Sequence, residues 1–319
     1  MRLHHCLLIV VFLSGCAKAP SAPVAVNDSV ASDAPHRIDA KHLPNAYLLN
    51  ERVISGGQPD GESAFDELQK LSVKTIISVD GARPNVAAAK RHGMRYLHIP
   101  HGYDGISEQR ILELAKAVRD LPGPIYIHCH HGKHRGPAAA AVACVSVGLL
   151  KPANALQVLT TAGTSENYRG LYDSVQTARR LDDRLLDNLM PDFRDAVELP
   201  PVAEAMVAIE HTHDHLKAIA TAGWKPTLDH PDLDPAHEAL LLKEHFTELL
   251  RTDEVRQKSD RFLRLLREGQ DAAARLESTL RTTAADRVSC ADGFFDTITK
   301  GCTACHREIR DVPLSEKRP

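Results

Sequence analysis

Between residues 125 and 137 the chain reads Ile-Tyr-Ile-His-Cys-His-His-Gly-Lys-His-Arg-Gly-Pro, and no other stretch restricts its fold as tightly. An apolar, β-rich run feeds a turn that holds one cysteine and one arginine, and a helix follows. A turn of this kind curls into a cup whose backbone N–H groups face inward, a nest for an anion with a helix N-terminus behind it. Cys129 lies at the bottom of that cup. Arg135 closes its rim with a planar fork of donors matched to phosphate oxygens. A thiol held against a helix N-terminus and beside cations is favoured as its thiolate, the nucleophilic form. Pro137 falls in the first helical turn, where its missing N–H costs nothing.

The stretch resembles the His-Cys-x5-Arg signature of the cysteine-dependent protein tyrosine phosphatase superfamily, in particular its compact dual-specificity-like members. His128, Cys129, Gly132 and Arg135 carry the likeness. The resemblance implies that Cys129 attacks phosphorus to give a phosphocysteine, that His128 orients the loop, and that Arg135 holds the phosphoryl oxygens. It places phosphate in a loop made by His130, His131, Gly132, Lys133, His134, Arg135 and Gly136. The position after the arginine usually carries a hydroxyl that helps the thiolate leave. Here it is Gly136, which weakens the expectation for turnover more than the one for phosphate binding. The family's general acid is an aspartate upstream of the cysteine, and Asp104 in Pro100-His-Gly-Tyr-Asp-Gly-Ile-Ser107 has that position, with Asp80 as runner-up. The basic loop suits strongly anionic substrates, either phosphoproteins or inositol phosphates and phosphoinositides. Loop curvature is expected to turn its three histidines in different directions, which argues against their sharing a metal.

Around this stretch, apolar β-type runs alternate with helical patterns from Tyr47 onward, the signature of a mostly parallel sheet flanked by helices. We expect strands at 47–54, 75–79, 95–99 and 125–128, and helices at 62–71, 85–92, 107–121, 137–149, 153–161 and 168–186. Beyond Pro191 and Pro200-Pro201 the strand pattern ends. Helical spacing then predicts four helices, from 202 to about 222, at 236–251, at 259–282 and at 284–310, which imply an all-α four-helix bundle.

The last of these helices holds Cys302-Thr-Ala-Cys-His306, the pattern of covalent c-type haem attachment: two thiols for the thioethers and His306 as axial iron ligand. Cys302 and Cys305 fall on the helix's apolar stripe with Phe295 and Ile298. A bundle with this motif in its last helix resembles the cytochrome c′ family, which implies haem c as cofactor, Met206 on the distal face, and pairing as a homodimer.

The first sixteen residues have a short basic start and an apolar run too brief to span a bilayer. They end Leu-Ser-Gly-Cys16, which resembles the bacterial lipobox and implies acylation of Cys16, a membrane anchor facing the periplasm, and preferably the outer membrane. The expected organisation is therefore a signal peptide at 1–16, a tether at 17–36, a phosphatase-like domain at 37–188 and a haem-binding bundle at 189–319. A net charge of −3 and only 4% aromatic residues exclude a nucleic-acid binder. The function expected is an exported phosphate monoesterase whose haem serves redox or gas sensing with a redox partner. The alternative is a weak phosphate-binding module on an electron carrier or gas sensor.

Overall fold

A computed structural model describes residues 34–317. The signal peptide, Cys16 and most of the tether lie outside the described residues. Among the described residues no helix is long and apolar enough to cross a membrane.

The chain begins with β1 (His36–Arg37), β2 (Tyr47–Asn50), β3 (Val53–Gly57) and α1 (Gly61–Lys70). It continues through β4 (Thr75–Ser78), α2 (Val86–Arg91), β5 (Arg95–His98), α3 (Glu108–Asp120) and β6 (Ile125–Cys129). Then come α4 (Arg135–Ser146), α5 (Pro152–Ala162), α6 (Arg169–Gln176) and α7 (Asp183–Asn188). The six strands form one mixed sheet in the order β1-β2-β3-β6-β4-β5, antiparallel from β1 to β3 and parallel from β3 to β5. Every residue of β3, β4 and β6 is buried, as expected of central strands covered on both faces. One face packs Phe65, Leu68, Ala88 and Ala89 from α1 and α2 on Ile76, Tyr96 and Tyr126. The other packs α3 and α4 on Ile77, Leu97, Ile125 and Ile127. Helix α4 is apolar all round and buried along its whole length, so it is the inner helix behind the cup.

Two elements differ from expectation. The strand expected at 47–54 is a hairpin, because Asn50 turns its side chain back to accept from the Arg52 and Val53 N–H groups and breaks the run. The helix expected at 168–186 is two, α6 and α7, because Leu181 N–H is captured by the Ser146 carbonyl and Arg180 by that of Val147.

The remaining helices are α8 (Pro201–Thr221), α9 (Pro235–Arg251), the short α10 (Asp253–Arg256), α11 (Asp260–Leu280) and α12 (Arg287–Cys305). Asp234, Thr252 and Ser259 each accept a first-turn N–H and so fix where three of them start. The four long ones share an apolar core of their own, including Leu216, Ile219, Leu242, Phe246, Leu266, Leu276, Ala291 and Ile298. Phe246 packs into α11 at Gly269, where any side chain would press on its ring. Helix α8 packs on α9, α9 on α11 and α11 on α12, while α8 and α12 meet through large side chains. His213 reaches Thr299 Oγ1 at 3.1 Å and stacks on Phe295 at 4.9 Å, and Trp224 donates to Asp292 at 2.8 Å. After Cys305 the helix widens into a π-helical turn, His306–Arg310. The described residues form one compact unit, in which side chains of α8 and of the segment after α12 touch the sheet layer.

Candidate functional site

The cup is built by pinning its carbonyls outward. The carbonyl of His130 accepts from Gln58 N–H at 3.0 Å, that of Gly132 from Asn45 Nδ2 at 2.9 Å, and that of Lys133 from Thr164 Oγ1 at 2.5 Å. In a trans peptide the next N–H points the opposite way. The N–H groups of His131, Lys133 and His134 therefore face inward, and none has a protein acceptor among the described residues. Gly132 makes the curl possible: its φ is +68°, and a Cβ there would collide with the backbone of Gly56 and Gly57. Gly56 in turn leaves room for Tyr126, whose hydroxyl donates to the Gly57 carbonyl at 2.7 Å. At Gly136 a Cβ would lie 3.1 Å from Cys129 N and 3.3 Å from the His128 carbonyl carbon, so the loop passes close over the start of α4.

Arg135 and Asp80 form the buried electrostatic centre. Asp80 Oδ2 accepts from Arg135 Nη2 at 3.0 Å and from His130 N–H at 2.5 Å, and Oδ1 accepts from Ala82 N–H at 3.2 Å. Burial pushes the Asp80 carboxyl up, but Arg135, the His130 N–H and the nearby imidazoles outweigh it and hold the group at about 2. Asp80 is thus a fixed anion at neutral pH, which argues against it as a proton donor. Burial also works against the Arg135 charge, which Tyr103, Asp80, Cys129 and Glu210 together stabilise. The Arg135 guanidinium lies 4.5 Å over the Tyr103 ring, while its buried Nε has no partner among the described residues. His128 is buried, accepts or donates at Tyr96 Oη over 2.6 Å, and is held down at about 4, chiefly by burial, so it stands neutral under the loop.

Asp104 sits on the loop before α3, whose N-cap is Ser107 as expected. It is tied down by residues far along the chain: its carbonyl accepts from Leu314 N–H at 2.8 Å, and its carboxylate pairs with Lys317. Arg310 lies 4.0 Å from the centroid of the same Tyr103 ring, and Arg169 forks onto Glu316 at 2.6 and 3.0 Å.

The loop histidines do not simply diverge. His130 and His131 stand together, ring centroids 4.3 Å apart, beside Asp214 and Glu210 of α8. His134 turns the other way, onto Tyr168, and burial holds it down at about 4.

At the second motif, Cys302 and Cys305 are both free thiols against the helical core, not a disulfide. Burial pushes Cys302 up to about 11 and holds His306 down at about 3, so His306 is a neutral imidazole whose ring makes no hydrogen bond among the described residues. A neutral imidazole one residue past two free thiols, on a core-facing stripe, fits what a covalent haem requires. Met206 is half-buried in the same core. His213, seven residues on along α8, reaches toward α12, and its charge, after burial and Arg310, adds to what keeps His306 unprotonated. Sequence reasoning passed over Tyr103, the neighbour of Asp104, and Glu210, His213, Asp214 and Lys317, which lie in no motif. Cys144 is a buried core thiol that accepts from Asn50 Nδ2 at 3.4 Å, and exposed Cys290 meets Asp286 at 3.6 Å.

No protein-family model matches the chain. Over 93 residues it is 30% identical to a beta-lactamase hydrolase-like protein of Xylella fastidiosa, covering 26% of this chain and 21% of that one. Over 102 residues it is 28% identical to the dual specificity protein phosphatase TpbA of Pseudomonas aeruginosa, covering 31% of this chain and 45% of the relative. The chain thus spans from a fifth to under half of the curated relatives it matches. Among solved structures, TpbA in complex with phosphotyrosine aligns with a TM-score of 0.40 at 23% identity, over 51% of this chain and 99% of that one. A putative phosphatase (DUF442) of Shewanella putrefaciens aligns with a TM-score of 0.38 at 16% identity, over 44% and 96%.

Proposed function

We propose that the chain is a cysteine-dependent phosphate monoesterase. The observation that carries this reading is the loop at 129–135: outward carbonyls, inward N–H groups and an arginine braced by a buried carboxylate form a receptor for a tetrahedral dianion around a single thiol. The Cys129 thiolate attacks phosphorus in line, the bond from phosphorus to the ester oxygen breaks, and Asp104 gives that oxygen its proton. The inward N–H groups and Arg135 hold the equatorial oxygens as charge spreads over them. Water then attacks the phosphocysteine, Asp104 takes its proton, the phosphorus–sulfur bond breaks, and orthophosphate and the thiolate are released. His128, neutral and hydrogen-bonded to Tyr96, positions the loop. Substrates are phosphorylated proteins, as the phosphotyrosine bound by TpbA suggests for this chain, or inositol phosphates drawn by the basic rim.

The α8–α12 helices are proposed to be a cytochrome c′-like bundle, held to the phosphatase layer in one exported lipoprotein anchored through Cys16 on the periplasmic side. Cys302 and Cys305 would hold haem c by thioethers, His306 would ligate its iron, and Met206 would face its distal side; such a group supplies electron transfer or gas binding. This chain's own contribution is to keep His306 unprotonated by burial and to supply apolar walls from α8 and α12. A redox partner and a homodimer through the bundle belong to the same reading.

A second reading is favoured by two particular features, the missing hydroxyl at Gly136 and the pairing of Asp104 with Lys317. Together they describe a phosphate-binding module that turns over weakly beside a haem electron carrier or sensor. Hydrolysis of an aryl phosphate by the thiol-reduced full chain separates the two. Turnover abolished by Cys129→Ser and slowed by Asp104→Asn establishes the enzyme; phosphate binding without turnover establishes the module.

A further inference from the structure

The α8 face that meets the cup carries two carboxylates one turn apart, Glu210 and Asp214. Like charges at that spacing on a helix repel. Opposite them stand two adjacent imidazoles, His130 and His131. His130 Nε2 lies 3.7 Å from Asp214 Oδ2 and His131 Nε2 lies 3.9 Å from Glu210 Oε1. Both separations exceed a hydrogen bond. They are close to the spacing of two ligands on one metal: donors at roughly 2.0–2.1 Å from a tetrahedral ion stand about 3.3 Å from each other. Ligand atoms of His130, His131 and Asp214 all lie within 4.8 Å of one another.

We propose that His130, His131 and Asp214, with Glu210 as the fourth donor, bind a divalent first-row transition cation of the zinc class. Two neutral imidazoles and two carboxylates balance a dication, and imidazole with carboxylate suits Zn²⁺, Ni²⁺ and Cu²⁺ better than the all-oxygen preference of Mg²⁺ or Ca²⁺. The site is also held from behind. His130 is fixed through both its N–H to Asp80 and its carbonyl to Gln58, and its ring stacks on His211 at 5.6 Å. An oriented first ligand of this kind lowers the ordering cost of the others. The ligands come from two separate parts of the chain, the loop after β6 and helix α8, so the ion would cross-link the sheet layer to the helical layer at the rim of the cup.

The site does not depend on hydrolysis, and its test reads metal binding alone. Zn²⁺ is titrated into the full chain in competition with a chromophoric chelator. The same is done for Glu210→Gln/Asp214→Asn and for a Cys302→Ser/Cys305→Ser background, which removes the competing thiol pair beside His306. Both altered carboxylates are partly exposed on a helix, and circular dichroism without metal checks that the variant folds. The expected result is one site per chain, kept in the Cys302→Ser/Cys305→Ser background and weakened at least about 100-fold by the carboxylate pair of substitutions. With Cu²⁺ in that background, electron paramagnetic resonance should show hyperfine splitting from two imidazole nitrogens. Equal affinity with and without Glu210 and Asp214, or binding that vanishes with the thiols, would overturn the proposal.

Discussion

Replacing Asp80 by asparagine tests the electrostatic centre under the cup, because the change keeps shape and removes charge. Asp80 and Arg135 have side-chain exposures of 3% and 9%, so solvent does little to screen them. Removing one partner of a buried, hydrogen-bonded ion pair costs roughly 3–5 kcal/mol, since the other charge stays desolvated. An asparagine also cannot accept from Ala82 N–H and from the Arg135–His130 pair of donors at once, because one of its two positions is itself a donor. A loss of about 3 kcal/mol at pH 7 is therefore expected, or about 4–5 °C in Tm for a chain of this size. The pH dependence supplies a second check. Asp80 is held at about 2, below its unfolded value of 3.8, so its stabilisation is complete above 3.8 and is lost as pH falls through 2. The shift corresponds to roughly 2 kcal/mol. Urea unfolding of wild type and Asp80→Asn, followed by far-UV circular dichroism from pH 7 down to pH 2, should show the gap between them narrowing below pH 4. Orthophosphate should return part of the loss in the variant, by giving Arg135 an anion. A gap under about 1 kcal/mol at pH 7, or one that does not change with pH, would refute the account of Asp80 as the anion that holds Arg135.

Gly132→Ala should cost more than about 2 kcal/mol in urea unfolding, from the left-handed φ and from overlap with the Gly56–Gly57 backbone. A loss below half that value would mean that the loop reshapes freely. Gly136→Ser should shorten the lifetime of a phosphocysteine in a quenched-flow experiment while lowering stability by about 1 kcal/mol, since its Cβ meets backbone at 3.1 Å. Lys317→Ala should raise kcat for an aryl phosphate by roughly 2- to 5-fold with orthophosphate affinity unchanged, because a weak ion pair no longer occupies the Asp104 carboxylate. In Cys302→Ala/Cys305→Ala, haem carried by the exported protein should be extractable by acid and organic solvent, whereas the wild type should keep it on the denatured chain.

What could be read from sequence was local. Cys129 and Arg135 are fixed by five intervening residues and a strand-to-helix transition, and Ser107 announces α3 by capping chemistry alone. The strand expected to end at Ile54 runs on through Gly56 and Gly57 as β3, whose missing side chains leave room for Tyr126 and Gly132. Asp80 lies 55 positions from Arg135, and nothing in its neighbourhood distinguishes a loop-bracing anion from a turn aspartate. Glu210 and Asp214 read as an ordinary solvated helix face until α8 is set against the loop histidines. The α6–α7 break depends on carbonyls of Ser146 and Val147, which no pattern within 168–186 encodes.

Lys317 meets Asp104 across 213 positions, and Arg310 lies over Tyr103 from four residues beyond His306. A chain shortened to its sheet layer would keep Cys129, Asp80 and Arg135, yet Asp104, the proposed proton donor, would stand in different company. Rates measured on such a fragment would describe another catalyst. Leu314 and Lys317 finish the surroundings of a carboxylate made two hundred residues earlier, so the proposed acid stands in its final company only after the turn bearing His306 has been laid down.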